Sequence, residues 1–518
     1  GLRQTGISVE RIPSIAEMND RLQRFGWGAV CVDGFIPPRA FTELQACGLL
    51  PIAADIRTRE HLVYTPAPDI IHEAAGHAPI LPDPGYAAYL RRFGEISSAA
   101  FTLPEEQQVF DAIYALSEIK EDPAATPEQL RGADAALEVA LTHAREASEA
   151  TRLSRLYWWT AEYGLVGRVD AYKIYGAGLL SSLWESHSCH DASVRKLPLD
   201  ESCLDVSYDI TRPQPQLFVA RDFEALHELL DAASRTLASA RGGAEAFEAA
   251  LRSRETCSVR FSSGAYAIGT LRDVGASLKS PGWFEFEGRV RMSSLDIAGT
   301  EAFRESSGDA AIVFSGRLQG GHRLEDLALA PPSTRRRFCF ESGASVEGTP
   351  TRAVRRLDEK LSHIELRDVT ISLPGSPRRE LPEFVLFAAG DALTARAGAV
   401  DPGFYSETEF TGTRVPKPRV FSEREWALMD LYEAASRAHR GGAAAVRADF
   451  PAIHRKLAQS FPDEWLLRWN LLESLLKADV DPSLRSALGS ELEELELRFE
   501  RKEPIASGLR YLSRLAAA

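Results

Sequence analysis

Cysteine is scarce in this sequence, and its few residues follow no metal-binding or disulfide pattern. The 518 residues include six cysteines, none of them in a CxxC pair. A disulfide framework and a thiolate zinc site both need cysteines at closer and more regular spacing. The cysteine usage therefore argues against both, and it favours the reducing cytoplasm as the location of the protein.

Long apolar runs and an excess of positive charge are also missing. No apolar run approaches the roughly 20 residues that cross a bilayer, and the opening GLRQTGISVE has no signal-peptide core. The formal net charge of -14 disfavours an electrostatic grip on nucleic acid or on anionic membranes. We therefore expect small-molecule partners, no nucleic acid and no membrane. Because the numbering begins at Gly1 without a methionine, we also expect that upstream residues have been removed.

Three textures follow one another along the chain, whose length predicts about two to four domains. In residues 1–240 apolar positions recur every three or four residues, as in YAAYLRRFGEISSAAF and YWWTAEYGLVGRVDAYKIYGAGLLSSLWE, which predicts helices. Residues 258–418 alternate short apolar and polar stretches with Gly, Pro and Ser, which predicts antiparallel strands. Residues 421–518 return to a helical pattern with acidic exposed faces. We predict a mainly α-helical domain, a β-rich domain and an α-helical tail.

The two junctions between these regions have their own signals. The stretch RTLASARGGAEAFEAALRSRE is rich in alanine and charge, which predicts a surface helix or helical linker and a boundary between 235 and 258. After the prolines of TGTRVPKPRV, the stretch FSEREWALMDLYEAASRAHR predicts a helix with Ser422 as its N-cap.

The stretch PAPDIIHEAAGHAPIL (66–81) points to metal chemistry. His72 and His77 are five residues apart, which on an ideal helix separates them by about 140°. A zinc protease HExxH motif instead spaces its histidines by four residues, about 40° apart. An undistorted α-helix cannot bring both histidines to one ion, so we expect a local break or a helix end at Gly76 that swings His77 back. Asp69 is well placed to cap the helix, and two unrelated surface histidines are the competing interpretation.

Three segments carry a resemblance to a known family. VYTPAPDIIHEAAGHAPIL resembles the iron-binding segment of the pterin-dependent aromatic amino acid hydroxylases, LYWWTAEYGLVG their glutamate-ligand segment, and KIYGAGLLSSLWE their glycine-rich segment. The order and intervals are similar too, over about residues 20–240, ending with SYDITRPQPQLFVARDF. The resemblance implies the catalytic fold of that family for residues 1–240. It covers neither the β-rich region nor the helical tail.

The resemblance implies an Fe(II) site and the residues that support it. His72, His77 and Glu162 match the ligands of a two-histidine, one-carboxylate site. Ser181 matches a serine that hydrogen-bonds a ligand histidine, and Glu185 is expected to support the site behind it. The nearby His187, Cys189 and His190 in WESHSCH lack zinc spacing, and we interpret them as a surface loop.

The resemblance also implies a substrate pocket and a pterin pocket. Arg57 matches the arginine that binds the amino-acid carboxylate, and Pro68 and Trp158 match residues that clamp the substrate ring. The full set of matched substrate positions is Arg57, Thr65, Pro68, Trp158, Gly178, Ser181 and Ile210. The matched pterin-binding positions are Ile36, Phe41, Glu73 and Tyr157. The pterin segment departs from the family at Leu50 and Pro51, where the animal enzymes have a histidine and polar residues.

The implied reaction is hydroxylation of an aromatic amino acid by dioxygen, with Fe(II) and a tetrahydropterin such as tetrahydrobiopterin as cofactors. L-Phenylalanine, giving tyrosine, leads as the substrate, because Trp158 matches the residue found more often in phenylalanine-type pockets. Ile210 occupies a position that is acidic in tyrosine-type pockets, which argues against tyrosine. Tryptophan or a modified aromatic amino acid of specialised metabolism is the alternative. A zinc-dependent hydrolase with Glu73 as its base and an inactive scaffold represent other classes. We further expect a homodimer formed through the C-terminal region.

Overall fold

The architecture was read from a computed structural model. It describes residues 2–8, 11–32, 36–57, 69–121, 126–209, 213–294, 310–322, 334–355, 361–381, 385–388, 390–400, 421–498 and 503–517. Among the described helices, none has an apolar stretch long enough to cross a membrane. The order of the elements follows the three textures of the sequence: helices with short strands, then strands, then helices.

The helical region, residues 2–241, contains twelve of the described α-helices and six short strands. The helices are α1 (Leu2–Thr5), α2 (Ile15–Leu22), α3 (Pro38–Ala46), α4 (Ile70–His72), α5 (Pro84–Ser97), α6 (Pro104–Glu121), α7 (Pro127–His143), α8 (Glu149–Tyr157), α9 (Ala177–Ser181), α10 (Glu185–Ser188), α11 (Phe223–Arg235) and α12 (Ala238–Arg241). Two π-helical turns, Glu73–His77 and Trp158–Glu162, continue α4 and α8.

The strands of the helical region form two small sheets. They are β1 (Gly28–Val32), β2 (Leu49–Ala53), β3 (Leu165–Arg168), β4 (Ala171–Ile174), β5 (Arg195–Pro198) and β6 (Gln216–Ala220). The first sheet pairs β1 with β2 in parallel, and the second has the order β4-β3-β6-β5.

The helix predicted for YAAYLRRFGEISSAAF is confirmed by α5. Its apolar residues at three- and four-residue spacing, Tyr86, Tyr89, Leu90 and Phe93, are buried, because that spacing places them on one helical face. Asp83 caps the helix by accepting from the backbone N–H groups of Gly85 and Tyr86.

The helix predicted through YWWTAEYGLVGRVDAYKIYGAGLLSSLWE is wrong over its middle part. Strands β3 and β4 form an antiparallel hairpin there, with Leu165 opposite Ile174. Gly167 has a φ of 121°, which a helix cannot accommodate. The alternation of large residues on β4 at Tyr172 and Ile174, both half-buried beside exposed Ala171 and Lys173, fits a strand.

In the described residues of the β-rich region, 243–397, there is one helix, α13 (Gly243–Ser253), and a ten-stranded sheet. The strands are β7 (Thr256–Phe261), β8 (Ala265–Gly275), β9 (Trp283–Ser294), β10 (Ala310–Phe314), β11 (Arg336–Cys339), β12 (Ser345–Arg355), β13 (Leu361–Ser372), β14 (Arg379–Leu381), β15 (Val385–Ala388) and β16 (Ala392–Ala397). Their order is β11-β12-β13-β15-β10-β9-β8-β7-β16, with β14 beside β13. The pairings are antiparallel apart from β10 with β15.

Helix α13 corrects the prediction of a surface helix or linker. Its residues Ala246, Phe247 and Ala250 are buried in a core with sheet residues such as Phe284. The buried residues of α13 are mostly small, and charged residues alternate with them along the sequence. The sequence therefore does not make the apolar face of this helix obvious. The helix belongs to the packing of the sheet.

The C-terminal region contains five described helices: α14 (Glu423–Arg440), α15 (Ala443–Ser460), α16 (Trp465–Lys477), α17 (Pro482–Arg498) and α18 (Glu503–Ala517). Ser422 is confirmed as an N-cap, in a capping box with Glu425. Its core is rich in leucine, including Leu457, Leu471 and Leu488. Residues 401–420, the end of the predicted strand region, lie outside the described residues.

Candidate metal centre

A π-helical turn brings the two histidines of the motif together. Asp69 starts the helix, because its Oδ1 accepts from the backbone N–H of His72 at 2.9 Å. Three α-helical residues later the backbone changes to a π-turn over Glu73–His77. Since π-helical hydrogen bonds join residues five apart, His72 and His77 come onto the same side. Their rings lie 5.0 Å apart and nearly perpendicular.

The predicted break at Gly76 is therefore wrong, because the helical path continues through this residue. The glycine instead allows close packing. A Cβ on Gly76 would lie 2.6 Å from the carbonyl oxygen of Ala177, a contact that real side chains do not make. Helix α9, which carries Ser181, can thus approach the histidines.

A second π-turn presents the carboxylate. Helix α8 continues into Trp158–Glu162, where the N–H of Tyr163 reaches the carbonyl of Trp158 at 2.8 Å. Glu162 Oε1 lies 3.0 Å from His77 Nε2, and its Oε2 lies 3.3 Å from His72 Nε2. The structure thus brings the three predicted ligand side chains together around one point.

Two carboxylates compete for the role of third ligand. His72, Glu73 and His77 alone already place their ligand atoms within 4.8 Å of one another. Burial raises the pKa of Glu73, and the neighbouring Glu162 and Asp69 carboxylates raise it further against the opposing imidazoles. Burial would also raise the pKa of Glu162, but His77 and His72 outweigh it and hold that pKa well below its usual range. Glu162 is therefore the anionic carboxylate of the cluster, and we favour it as the ligand.

Ser181 fixes the orientation of one histidine. Its hydroxyl donates to the carbonyl of Ala177 at 2.8 Å, so its oxygen is left to accept from His72 Nδ1–H at 3.0 Å. With the proton on Nδ1, the lone pair of His72 Nε2 faces Glu162 and the centre of the cluster. Ligand histidines usually make such a bond through their other nitrogen.

The electrostatics fit a divalent cation. Burial disfavours a charged His72, but Glu162 outweighs it and raises the pKa of His72 to about 9. The carboxylate thus draws a proton onto the imidazole. A bound dication would replace that proton and balance the carboxylate charge instead. Two imidazole nitrogens and one carboxylate suit Fe(II), and also Zn(II) in some hydrolases.

Arg57 is held by the residue that caps the motif. Its Nε and Nη2 donate to the two carboxylate oxygens of Asp69, each at 2.8 Å, and its Nη1 donates to the carbonyl of Ser181 at 2.8 Å. Burial would raise the pKa of Asp69, but Arg57 outweighs it and lowers it. The guanidinium is therefore fixed in place, and two of its N–H groups have no partner among the described residues. The sequence did not reveal this pairing.

Trp158 is enclosed between two tyrosines. Its ring stacks on Tyr163 at 4.6 Å and on Tyr208 at 4.3 Å between centroids. Both faces are occupied, so only the edge of the indole can meet a ligand, and a face-on clamp of the substrate ring does not fit. Three predicted pocket residues, Thr65, Pro68 and Ile210, lie outside the described residues.

Gly178, predicted in the substrate pocket, and Glu185, predicted to support the site, both lie behind the cluster. A Cβ on Gly178 would lie 3.1 Å from the carbonyl oxygen of Glu162, so the glycine permits this approach. Glu185 accepts from the hydroxyl of Tyr163 at 2.7 Å. Burial raises the pKa of Glu185 to about 7, although the hydrogen bond from Tyr163 opposes the rise.

Two of the predicted pterin residues, Phe41 and Tyr157, connect α3 to the cluster. Phe41 meets Tyr157 edge to face at 5.7 Å, and the Tyr157 ring lies 6.3 Å from that of His77. The Tyr157 hydroxyl accepts from Gln45 Nε2 at 2.7 Å. Sequence reasoning missed Gln45, although its position one helical turn after Phe41 was a signal. Half-buried Ile36 precedes α3.

The residues His187, Cys189 and His190 do not form a metal group. His190 stacks on Tyr172 at 5.5 Å between ring centroids, and Cys189 is buried. Within the described part of the chain, the cluster of His72, Glu73 and His77 is the one group of such residues close enough to hold an ion.

Comparisons with known proteins find relatives of this chain. Residues 2–111 and 133–241 match the model of the biopterin-dependent aromatic amino acid hydroxylases. The phenylalanine-4-hydroxylase of Pseudomonas aeruginosa is 32% identical over 231 residues, which cover 44% of this chain and 71% of that protein. The phenylalanine-4-hydroxylase of Mesorhizobium japonicum is 26% identical over 237 residues, covering 45% and 70%.

A solved structure is similar as well. The phenylalanine hydroxylase of Chromobacterium violaceum, crystallised with bound iron(III) and 7,8-dihydrobiopterin, is 27% identical, with a TM-score of 0.34. The similarity covers 45% of this chain and 70% of that one.

Proposed function

This chain belongs to the biopterin-dependent aromatic amino acid hydroxylases, and from that premise we propose that it hydroxylates L-phenylalanine to tyrosine. The relatives at 32% and 26% identity are phenylalanine-4-hydroxylases. The observation that carries the proposal is the approach of Glu162 to the Nε2 atoms of both His72 and His77, at 3.3 and 3.0 Å.

In this proposal three side chains hold Fe(II) on one side. Fe(II) and a tetrahydropterin supply the electrons that activate dioxygen, which reacts slowly with closed-shell rings. His72, His77 and Glu162 occupy only part of the coordination sphere. Ser181 keeps the His72 ring oriented, and burial of His77 keeps bulk water from that ligand.

The substrate carboxylate binds at Arg57. Asp69 and the Ser181 carbonyl hold the guanidinium, so its remaining N–H groups need no reorganisation on binding. Asp69 also caps the helix that carries His72, which couples substrate orientation to the metal site. The edge of Trp158 and the residues Thr65, Pro68, Gly178 and Ile210 complete the pocket. The absence of an acid at Ile210 favours phenylalanine over tyrosine, with tryptophan as the alternative.

The reduced pterin binds on the side of Phe41, Tyr157, Ile36 and Glu73. Tyr157 lies next to His77, and Phe41 packs against Tyr157, so both offer aromatic surface close to the cluster. The chain orients the pterin and the amino acid about the same ion, which is the main contribution that a protein makes to such a reaction.

The test is product formation. We expect the iron-loaded protein, given tetrahydrobiopterin and oxygen, to convert phenylalanine to tyrosine, and His72→Ala to abolish the product. His190→Ala, an exposed histidine that makes no contact with the cluster, serves as the control. Failure with phenylalanine, tryptophan and tyrosine alike, in protein that contains iron, would overturn the proposal.

One observation favours a hydrolase as the second candidate. Glu73 follows a ligand histidine and is buried, and its Oε2 has no hydrogen-bond partner among the described residues. A general base beside Zn(II) would have such a position. Peptide or ester cleavage by the zinc-loaded protein, abolished in Glu73→Gln, would support this candidate over the hydroxylase.

The chain as a whole is proposed to form separate domains. The sequence supports a catalytic domain over 1–240, a β-rich domain over 258–418 and a helical region over 421–518 that forms a homodimer. Sedimentation of the full chain and of a chain ending at residue 400 tests the dimer. A dimer that persists in the shortened chain would contradict the role of the C-terminal region. The chain is proposed to act in the cytoplasm.

A further inference from the structure

We propose that the β-rich region positions the pterin side of the active site by fastening helix α3 through Arg39. This inference rests on the proposed function, because Phe41 on α3 is the expected pterin contact. Arg39 and Phe41 are two residues apart, so they point to nearly opposite sides of the helix, about 200° apart. One side of α3 faces the metal cluster and the other faces the β-rich region.

The side of α3 that faces away from the cluster is tied by an ion pair. Arg39 pairs with Glu255, the residue directly before β7, and donates to the carbonyls of Ser98 and Ala100. Both charged side chains are about one-fifth to one-quarter exposed, at 20% and 24%. The pair is therefore shielded more than an ordinary surface pair, which contributes little.

Glu255 also holds the segment 98–102, which follows α5. Its Oε1 accepts from the backbone N–H of Thr102 at 2.8 Å, so one carboxylate joins this segment to α3. The edge strand β16 adds a backbone hydrogen bond, from the N–H of Ala397 to the carbonyl of Ala99 at 3.1 Å. Arg396 donates to the hydroxyl of Ser98 at 3.4 Å.

An apolar anchor accompanies these polar contacts. Phe101 is 3% exposed and belongs to the same buried cluster as Phe247, Cys257 and Ala397. A side chain of the helical region is thus part of the core of the β-rich region. Burial of a phenylalanine side chain is stabilising, so the segment 98–102 is a firm base for Arg39.

The opposite side of α3 leads to the metal cluster. Gln45 and Phe41 both contact Tyr157, whose ring lies next to His77. The path from Glu255 through Arg39 to Phe41 is short and made of specific contacts. Helix α3 also packs on α5 at Gly94, where a Cβ would lie 2.4 Å from the carbonyl oxygen of Thr42. Loss of the Arg39 contacts should therefore loosen α3 without unfolding it.

The experiment compares Arg39→Met with Arg252→Met in the full chain. Arg252 pairs with Glu146 at 2.9 Å, which also joins the two regions, but it is exposed and does not touch α3. The readouts are the dissociation constant of 7,8-dihydrobiopterin by calorimetry on the iron-loaded protein, and amide exchange of residues 38–46. KM for phenylalanine and the iron content are measured in parallel.

We expect Arg39→Met to weaken pterin binding by about fivefold or more, the lower end of typical coupling between sites. Exchange of residues 38–46 should rise, while the iron content and the KM for phenylalanine stay within twofold. Arg39→Lys should rescue in part, because one ammonium group can meet Glu255 but cannot also span both carbonyls. Arg252→Met should change none of these values.

Three results would overturn the inference. The first is unchanged pterin binding in Arg39→Met when the unaltered protein binds pterin. The second is an equal rise in the pterin dissociation constant and in the KM for phenylalanine, which would indicate general loosening. The third is unchanged exchange of residues 38–46. If the unaltered protein bound no pterin, the proposed function would fail, and the exchange of residues 38–46 would still decide whether Arg39 holds α3.

Discussion

The helical region and the β-rich region both bury titratable side chains, but they arrange them differently. In the helical region His72, His77 and Glu162 point at one another from two π-turns. In the β-rich region the buried His363 lies beside Ser362 and near the positive charge of Arg352. Burial of polar groups is thus common to both, whereas convergence of two imidazoles and a carboxylate on one point distinguishes the site that can hold a cation.

The π-turns create that convergence. A regular α-helix would direct residues 72 and 77 to different sides. The π-turn has a geometric cost, and such turns are often found at functional sites. No described strand of the β-rich region aims three ligand side chains at one point.

The largest expected effect comes from removing the anionic ligand. Glu162→Gln replaces a carboxylate by a neutral amide, which binds Fe(II) poorly, so the iron content should fall from about one per chain to near zero. Glu73→Gln is the matched control and should retain iron. Metal analysis after gel filtration decides this. The reverse pattern would make Glu73 the ligand.

A second prediction concerns the buried histidine of the β-rich region. Burial, and then Arg352, lower the pKa of His363 to about 4. An unfolded histidine titrates near 6.5, so the unfolded chain binds the additional proton between these values. Stability should therefore fall as the pH drops from about 6.5 to about 4, by up to about 3 kcal/mol.

Amide exchange of strand β13 at several pH values, corrected for intrinsic rates, measures this loss. His363→Gln should remove the pH dependence, and His322→Gln, an exposed histidine of the same region, should leave it. A pH dependence that survives in His363→Gln would show that other groups cause it.

In the helical region, Glu185 should make stability depend on pH with the opposite sign. Burial raises the pKa of Glu185 to about 7, against about 4.3 in an unfolded chain. The folded protein then binds more protons than the unfolded chain, and stability falls as the pH rises from about 4.5 to about 7. The effect should be similar in size to that of His363, because the two pKa values are shifted by similar amounts in opposite directions.

Exchange of helix α10 measures it, with Glu185→Gln expected to flatten the curve and the exposed Glu201→Gln as control. Slopes of stability against pH that have the same sign in the two regions would contradict this prediction.

The smallest expected effect is that of the serine behind His72. Ser181→Ala removes the acceptor for His72 Nδ1–H, and loss of such partners weakens metal binding by about tenfold or somewhat more. Ser186→Ala, a half-buried serine of the neighbouring helix whose hydroxyl donates to the carbonyl of Leu183, should have no effect. Competition with a metal chelator gives the affinities, and identical values for both variants would contradict the role of Ser181.

The sequence predicted the ligands better than their geometry. His72, His77 and Glu162 stand in recognisable segments, because ligand identity depends on residue type and order. The π-turns could not be predicted, since they differ from α-helix only in the hydrogen-bond partner. The Gly76 break was wrong for that reason.

Long-range packing explains the other differences. The hairpin at Leu165–Ile174 depends on β3 pairing with β6, some 50 residues later in the chain. The stacking of Trp158 between Tyr163 and Tyr208 and the pairing of Arg57 with Asp69 also join separated segments. Local periodicity carries no information on such contacts, whereas α5 was predicted because its own apolar spacing determines its buried face.

The most direct test of the account follows the oxygen atom. The iron-loaded chain is supplied with tetrahydrobiopterin, phenylalanine and oxygen-18 gas. The mass of the tyrosine product is then measured by mass spectrometry. We predict one heavy oxygen in each new tyrosine, with no product when the pterin is omitted or when Glu162 is replaced by glutamine. Tyrosine that carries its oxygen from water, or an iron-loaded chain that turns over without the pterin, would contradict the account.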